Sequence, residues 1–190
     1  MHQFIYTAKE AALAAIVLIP LLLVLNHFRF RSLKTTLLYT IFCIYLAGIY
    51  TVVGLPNVSY IRFDPSFNLV PFLDMIAGLK STVLNVILFL PFGAFLPLFW
   101  KKYRSVSQTV MAGFVLSLSI EMLQLFTLRA VDVNDLITNT LGTLIGFPFG
   151  ALIGKRFPSL RRSAKDFSVL ISCTAVVMFF LQPVIWAVIY

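Results

Sequence analysis

The chain has 190 residues, of which 60% are hydrophobic and only 12% charged, with a net charge of +8. A soluble domain carries roughly 45 to 50% apolar residues, so this composition excludes a soluble globular protein and points to an integral membrane protein. The basic excess suggests nucleic acid only in a soluble chain; here its placement between apolar runs makes it a feature of membrane topology instead.

A helix needs about 20 apolar residues to cross a hydrocarbon core, and the apolar runs predict six spans, at about 8–26, 35–55, 83–100, 107–127, 134–154 and 167–189. The expected fold is therefore all-α: a polytopic transmembrane helical bundle forming a single integral membrane domain over residues 1–190. The first run follows Lys9 and Glu10, not a basic segment, and no small-x-small cleavage site comes after it. It reads as a retained span rather than a signal peptide. Cys43 and Cys173 fall inside separate apolar runs, where each acts as a small hydrophobe, and neither a disulfide nor a metal framework is implied.

The connections alternate in charge. Those at 27–34, 101–106 and 155–166 hold Arg29, Arg31, Lys34, Lys101, Lys102, Arg104, Lys155, Arg156, Arg161, Arg162 and Lys165. Lys9, Arg62, Lys80 and Arg129 are left for the other side. The basic connections are expected to face the cytoplasm of a bacterial plasma membrane, which puts both termini outside. Every acid except Asp166 then falls on the outer half. The segment from Pro56 to Thr82, with Asp64 and Asp74, mixes prolines and large apolar residues. It suits neither a solvated loop nor a straight helix, and is expected to fold back over the outer face, partly embedded.

In the third span Asn85 opens the helix, and Pro91 and Pro97 are expected to interrupt it, each lacking a backbone donor. In the fourth, Ser117, Glu121, Gln124 and Leu128 are spaced to share one face near the outer end. An ionised carboxylate at bilayer depth costs about 2.5 to 3.5 kcal/mol even on lenient insertion scales, so Glu121 is a functional candidate by default. Arg129 follows in a short turn. Asp132 has two readings, as a cap on the fifth span's free N–H groups and as a ligand-binding group. From Asp135 a stripe continues through Asn139 to Gly142, Gly146 and Gly150, and these glycines read as a close helix-packing surface. Asn68, Asn85, Glu121, Gln124, Arg129, Asp132, Asp135 and Asn139 thus form a polar set larger than bundle cohesion requires.

These residues carry a resemblance. Asn68-Leu-Val-Pro71-Phe72, Asn85 with Phe89-Leu-Pro91-Phe92-Gly93, Glu121-x-x-Gln124 and Arg129-x-x-Asp132-x-x-Asp135-x-x-x-Asn139-x-x-Gly142 are together similar to the ordered signatures of the VanZ-like family of bacterial membrane proteins. The resemblance covers about residues 30–154. It implies a link to low-level tolerance of teicoplanin-type lipoglycopeptide antibiotics, without agreed roles for individual residues.

Three functions compete. The leading one is binding or remodelling of an amphiphile at the outer face: a membrane lipid, a lipid-linked wall precursor or a lipoglycopeptide. Arg129 would hold phosphate or carboxylate in forked geometry, amides would take sugar or peptide groups, and the Phe- and Pro-rich segments acyl chain. The second is a membrane-embedded enzyme with desolvated Glu121 as general acid or base and Asp132 or Asp135 as partner. Against it, His2 and His27 lie away from the polar set, and no catalytic motif or phosphate loop occurs. The third is a lipid transporter, disfavoured because the acids cluster toward one surface. No cofactor is expected; the one candidate metal site is a divalent cation held by Glu121, Asp132 and Asp135. Nucleic acid is not an expected partner.

Overall fold

The computed structural model describes residues 2–63, 65–72, 78–156 and 164–189. Asp64, Asp74, Arg161 and Arg162 lie outside these. Among the described residues, six helices are long and apolar enough to cross a membrane: Lys9–Phe30, Leu33–Val52, Leu79–Phe99, Val106–Gln124, Val133–Arg156 and Ala164–Val188. The expected helical architecture is observed. The helices fall into two compact units, one of residues 1–61 and 165–190 and the other of residues 62–164.

The first unit gathers α1 (His2–Leu25), α2 (Leu33–Val52) and the last span, in which α6 (Ala164–Val176) continues through a wide turn, Val177–Leu181, into α7 (Gln182–Ile189). A wide helical turn, Asn26–Phe30, extends α1. It closes at Arg31, whose φ of 49° is left-handed and whose N–H returns to the Asn26 carbonyl at 2.8 Å. Ser32 then caps α2, its hydroxyl accepting the Thr35 N–H. At the far end Gly54, at φ 65°, reverses the chain as only glycine does without strain. The core is apolar: Leu18, Leu22, Phe42, Cys43, Ala47 and Leu170 are fully buried. Polar residues interrupt it, among them Glu10, Gln182 and Asp166. Asp166, 8% exposed, accepts from Arg29 Nε at 2.8 Å on one oxygen and from the Tyr39 hydroxyl at 3.1 Å on the other.

The second unit is α3 (Leu79–Phe99), α4 (Val106–Gln124) and α5 (Val133–Arg156), with two short strands, β1 (Phe67–Asn68) and β2 (Val131–Asp132). α3 runs unbroken through Pro91 and Pro97, contrary to the expected interruption. Proline is tolerated in a membrane helix where neighbouring helices and local adjustment re-satisfy the freed carbonyls, and here α5 lies directly alongside. A side chain at Gly142, Gly146 or Gly150 would fall on the carbonyl oxygen of Val86, Leu90 or Ala94, and at Gly93 on that of Thr143. At Gly154 a Cβ would stand 3.0 Å from the Pro97 carbonyl. Those matched contacts mean that α3 and α5 run parallel in backbone contact, the geometry that small residues at four-residue spacing permit in lipid. Consequently both helices begin at the same end of the unit.

Candidate functional site

That shared end is where the polar residues meet. Glu121 and Gln124 close α4 and are buried, at 2% and 3% exposure. The helix stops at Gln124, so Leu128 leaves the face that spacing had assigned it and is 57% exposed. The turn that follows carries the exposed Arg129 and leads into β2, which pairs in parallel with β1, Phe67 facing Val131 and Asn68 facing Asp132. Arg62 N–H donates to the Phe126 carbonyl at 2.9 Å and Val131 N–H to the Ser66 carbonyl at 3.0 Å. Residues 62–63 and 65–72 of the Pro-rich segment are thereby fastened to the α4–α5 connection.

Asp132 is the hub. It stands immediately before α5 and caps it, Oδ1 accepting the Asn134 N–H at 2.7 Å. Its Oδ2 accepts from Asn68 Nδ2 at 3.0 Å, and its own N–H donates to Glu121 Oε2 at 2.8 Å. One residue thus ties the strand pair, α4 and α5 together. Asp135, one turn into α5, accepts from Asn85 Nδ2 of α3 at 2.6 Å. Asn139 lies deeper and donates from Nδ2 to Ser117 Oγ of α4 at 3.0 Å.

Asn134 escaped the spacing argument because it stands off the Asp135–Asn139 stripe. It is 6% exposed, accepts the Phe72 N–H at 2.8 Å and donates to the Val70 carbonyl at 3.5 Å. Phe72 is held with φ at 67°, a strained conformation for a bulky residue. The only local signal for Asn134 was its amide, second in the helix behind an acid.

Between the first turns of α3 and α5 lies a cavity of about 130 Å³, lined by Gly78, Ser81, Thr82, Asp132, Asn134, Asp135 and Thr138. Ser81, Thr82 and Thr138 were not singled out by sequence. Glu121, Gln124 and Asn139, like Asn68, Asn85 and Arg129, are not among these lining residues. Two of their buried atoms, Glu121 Oε1 and Asn139 Oδ1, have no hydrogen-bond partner among the described residues. Arg129, Asp132 and Asp135 all lie near enough to Glu121 to act on it electrostatically. Yet among the described residues no three acidic, His or Cys side chains are placed to share one metal ion. The carboxylates converge in charge without converging as ligands.

The VanZ/LLP1 family model matches residues 35–154, which run from α2 to the end of α5. The chain is similar to Protein VanZ of Enterococcus faecium, with 35% identity over 91 residues, 47% of this chain and 55% of that protein. The chain thus matches about half the length of this curated relative. No solved structure matches.

Proposed function

This chain is a multi-pass membrane protein of the VanZ-like family, and on that premise we propose that it binds the polar head of an amphiphile at the outer face of the membrane. By doing so it contributes to glycopeptide-antibiotic tolerance. The observation that carries this reading is the polar cavity between the parallel first turns of α3 and α5.

The opposite end of the same unit carries Lys101, Lys102, Arg104, Lys155 and Arg156, whereas the cavity end holds Arg62, Lys80 and Arg129. The positive-inside bias supports placing the cavity outside. Its size limits what enters. A cavity of roughly 150 Å³ accommodates a benzene-sized molecule, so about 130 Å³ receives one polar group and not a whole lipoglycopeptide or precursor. The rest of the ligand lies along the exposed apolar side chains of Phe67, Leu69, Val70 and Phe72, each more than half exposed. Membrane lipids, a lipid-linked wall precursor and a lipoglycopeptide all have this division into polar head and apolar body.

The test is antibiotic tolerance measured together with protein level. Arg129→Ala and Glu121→Gln are expected to abolish teicoplanin tolerance in an expressing host while the protein accumulates normally in the membrane. Tolerance retained in both variants would remove the proposal.

A further inference from the structure

Resting on that reading, we infer that the recess selects its amphiphile through a primary ammonium group, received between Asp132 and Asp135. The cavity lining contains two carboxylates, two amide or backbone positions and three hydroxyls, and no basic side chain. Glu121 joins this lining through Asp132: its Oε2 accepts the Asp132 N–H, while Oε1, in a residue only 2% exposed, lacks a partner among the described residues. Two carboxyl groups therefore line one small volume with a third bonded to its wall, and the exposed Arg129 is the basic side chain that bears on Glu121 and Asp135. The positive end of the α5 dipole is already offset by the Asp132 cap and by Asp135 in the first turn. What remains is a demand for positive charge.

A divalent ion shared by Glu121, Asp132 and Asp135 is not the match for that demand, because among the described residues no three such side chains are placed to hold one ion. An ammonium group meets it in another way. It has three donors spread over about 3 Å hydrogen bonds and can face two carboxylates and a hydroxyl at once. Ser81, Thr82 and Thr138 offer such hydroxyls in the lining. A primary ammonium, with its linking carbons, also fits the volume. A quaternary ammonium lacks the donors, and an N-acetylated amine lacks the charge. The same chemistry occurs on an aminophospholipid and on a lipopeptide with a free amine.

The experiment uses the full purified chain in detergent and measures binding by native mass spectrometry and by thermal stabilisation. The lipid arm compares phosphatidylethanolamine, its N-acetyl derivative and phosphatidylglycerol with identical acyl chains; the second arm compares a lipopeptide bearing one free amine with its acetylated form. Amine-bearing probes are expected to bind at least tenfold more tightly than their acetylated partners. In Asp135→Asn and Asp132→Asn, which keep an acceptor oxygen for the caps, that preference should fall toward one. The arm with the larger preference identifies the source of the amine. Equal binding of free and acetylated probes, or a preference unchanged in both variants, would overturn the inference and leave amphiphile binding standing. Failure of every probe to bind the unaltered protein would remove both.

Discussion

Each unit of this protein buries acid, but in different company. In the first unit Asp166 has both oxygens engaged, by the Arg29 guanidinium and the Tyr39 hydroxyl. In the second, Glu121, Asp132 and Asp135 crowd one end of α4 and α5, their hydrogen bonds come from amides and backbone, and Glu121 Oε1 is unanswered among the described residues. The first arrangement is closed, with charge balanced locally. The second gathers three carboxyl groups at one helix end beside a cavity, and that difference separates a structural polar cluster from a candidate site.

The contrast can be broken at its foundation or sharpened at its edges. The largest effect is expected from Gly150→Leu, since the new side chain would meet the Ala94 backbone, which cannot move aside cheaply. Forcing α3 and α5 apart should cost about 3 kcal/mol or more, read as a lowered melting temperature in detergent and lost tolerance together. Next is Asp166→Ala. Removing one partner of a buried pair costs about 3 to 5 kcal/mol, but Arg29 is 37% exposed and recovers solvent, so a loss of about 2 kcal/mol is expected. Asn134→Ala should cost about 1 to 2 kcal/mol by leaving the Phe72 N–H unpaired; hydrogen exchange should rise over residues 66–72 without a change in the helices. The smallest stability effect belongs to Glu121→Gln, expected to cost about 1 kcal/mol or less because the amide oxygen can still accept the Asp132 N–H.

Much of this was legible in the residues. Long apolar runs and the alternating basic connections predicted the six spans, because crossing a bilayer imposes a length and a composition that few other structures share. The four-residue spacing of Gly142, Gly146 and Gly150 marked a close-packed face, although it could not name α3 as the partner. Asn68, Asn85, Glu121, Asp132 and Asp135 were collected as a polar set, and their hydrogen bonds connect them.

What escaped depends on contacts distant in sequence. Leu128 was misplaced because α4 ends at Gln124, one turn before the spacing implied. Pro91 and Pro97 were read from local donor loss, whereas the neighbouring α5 decides whether a helix survives it. Asn134 was missed because its role is set by a backbone segment more than sixty positions away. The grouping of α6 and α7 with α1 and α2 likewise has no local signature, since tertiary contacts alone bring the two ends of the chain together.

The most direct test sets the two units side by side: melting temperature and teicoplanin tolerance measured for Asp166→Asn and Asp135→Asn in parallel. The account predicts that Asp166→Asn lowers the melting temperature, whereas Asp135→Asn melts close to the unaltered protein yet loses tolerance. Equal losses of stability in both variants, with tolerance falling only in proportion to that loss, would contradict it.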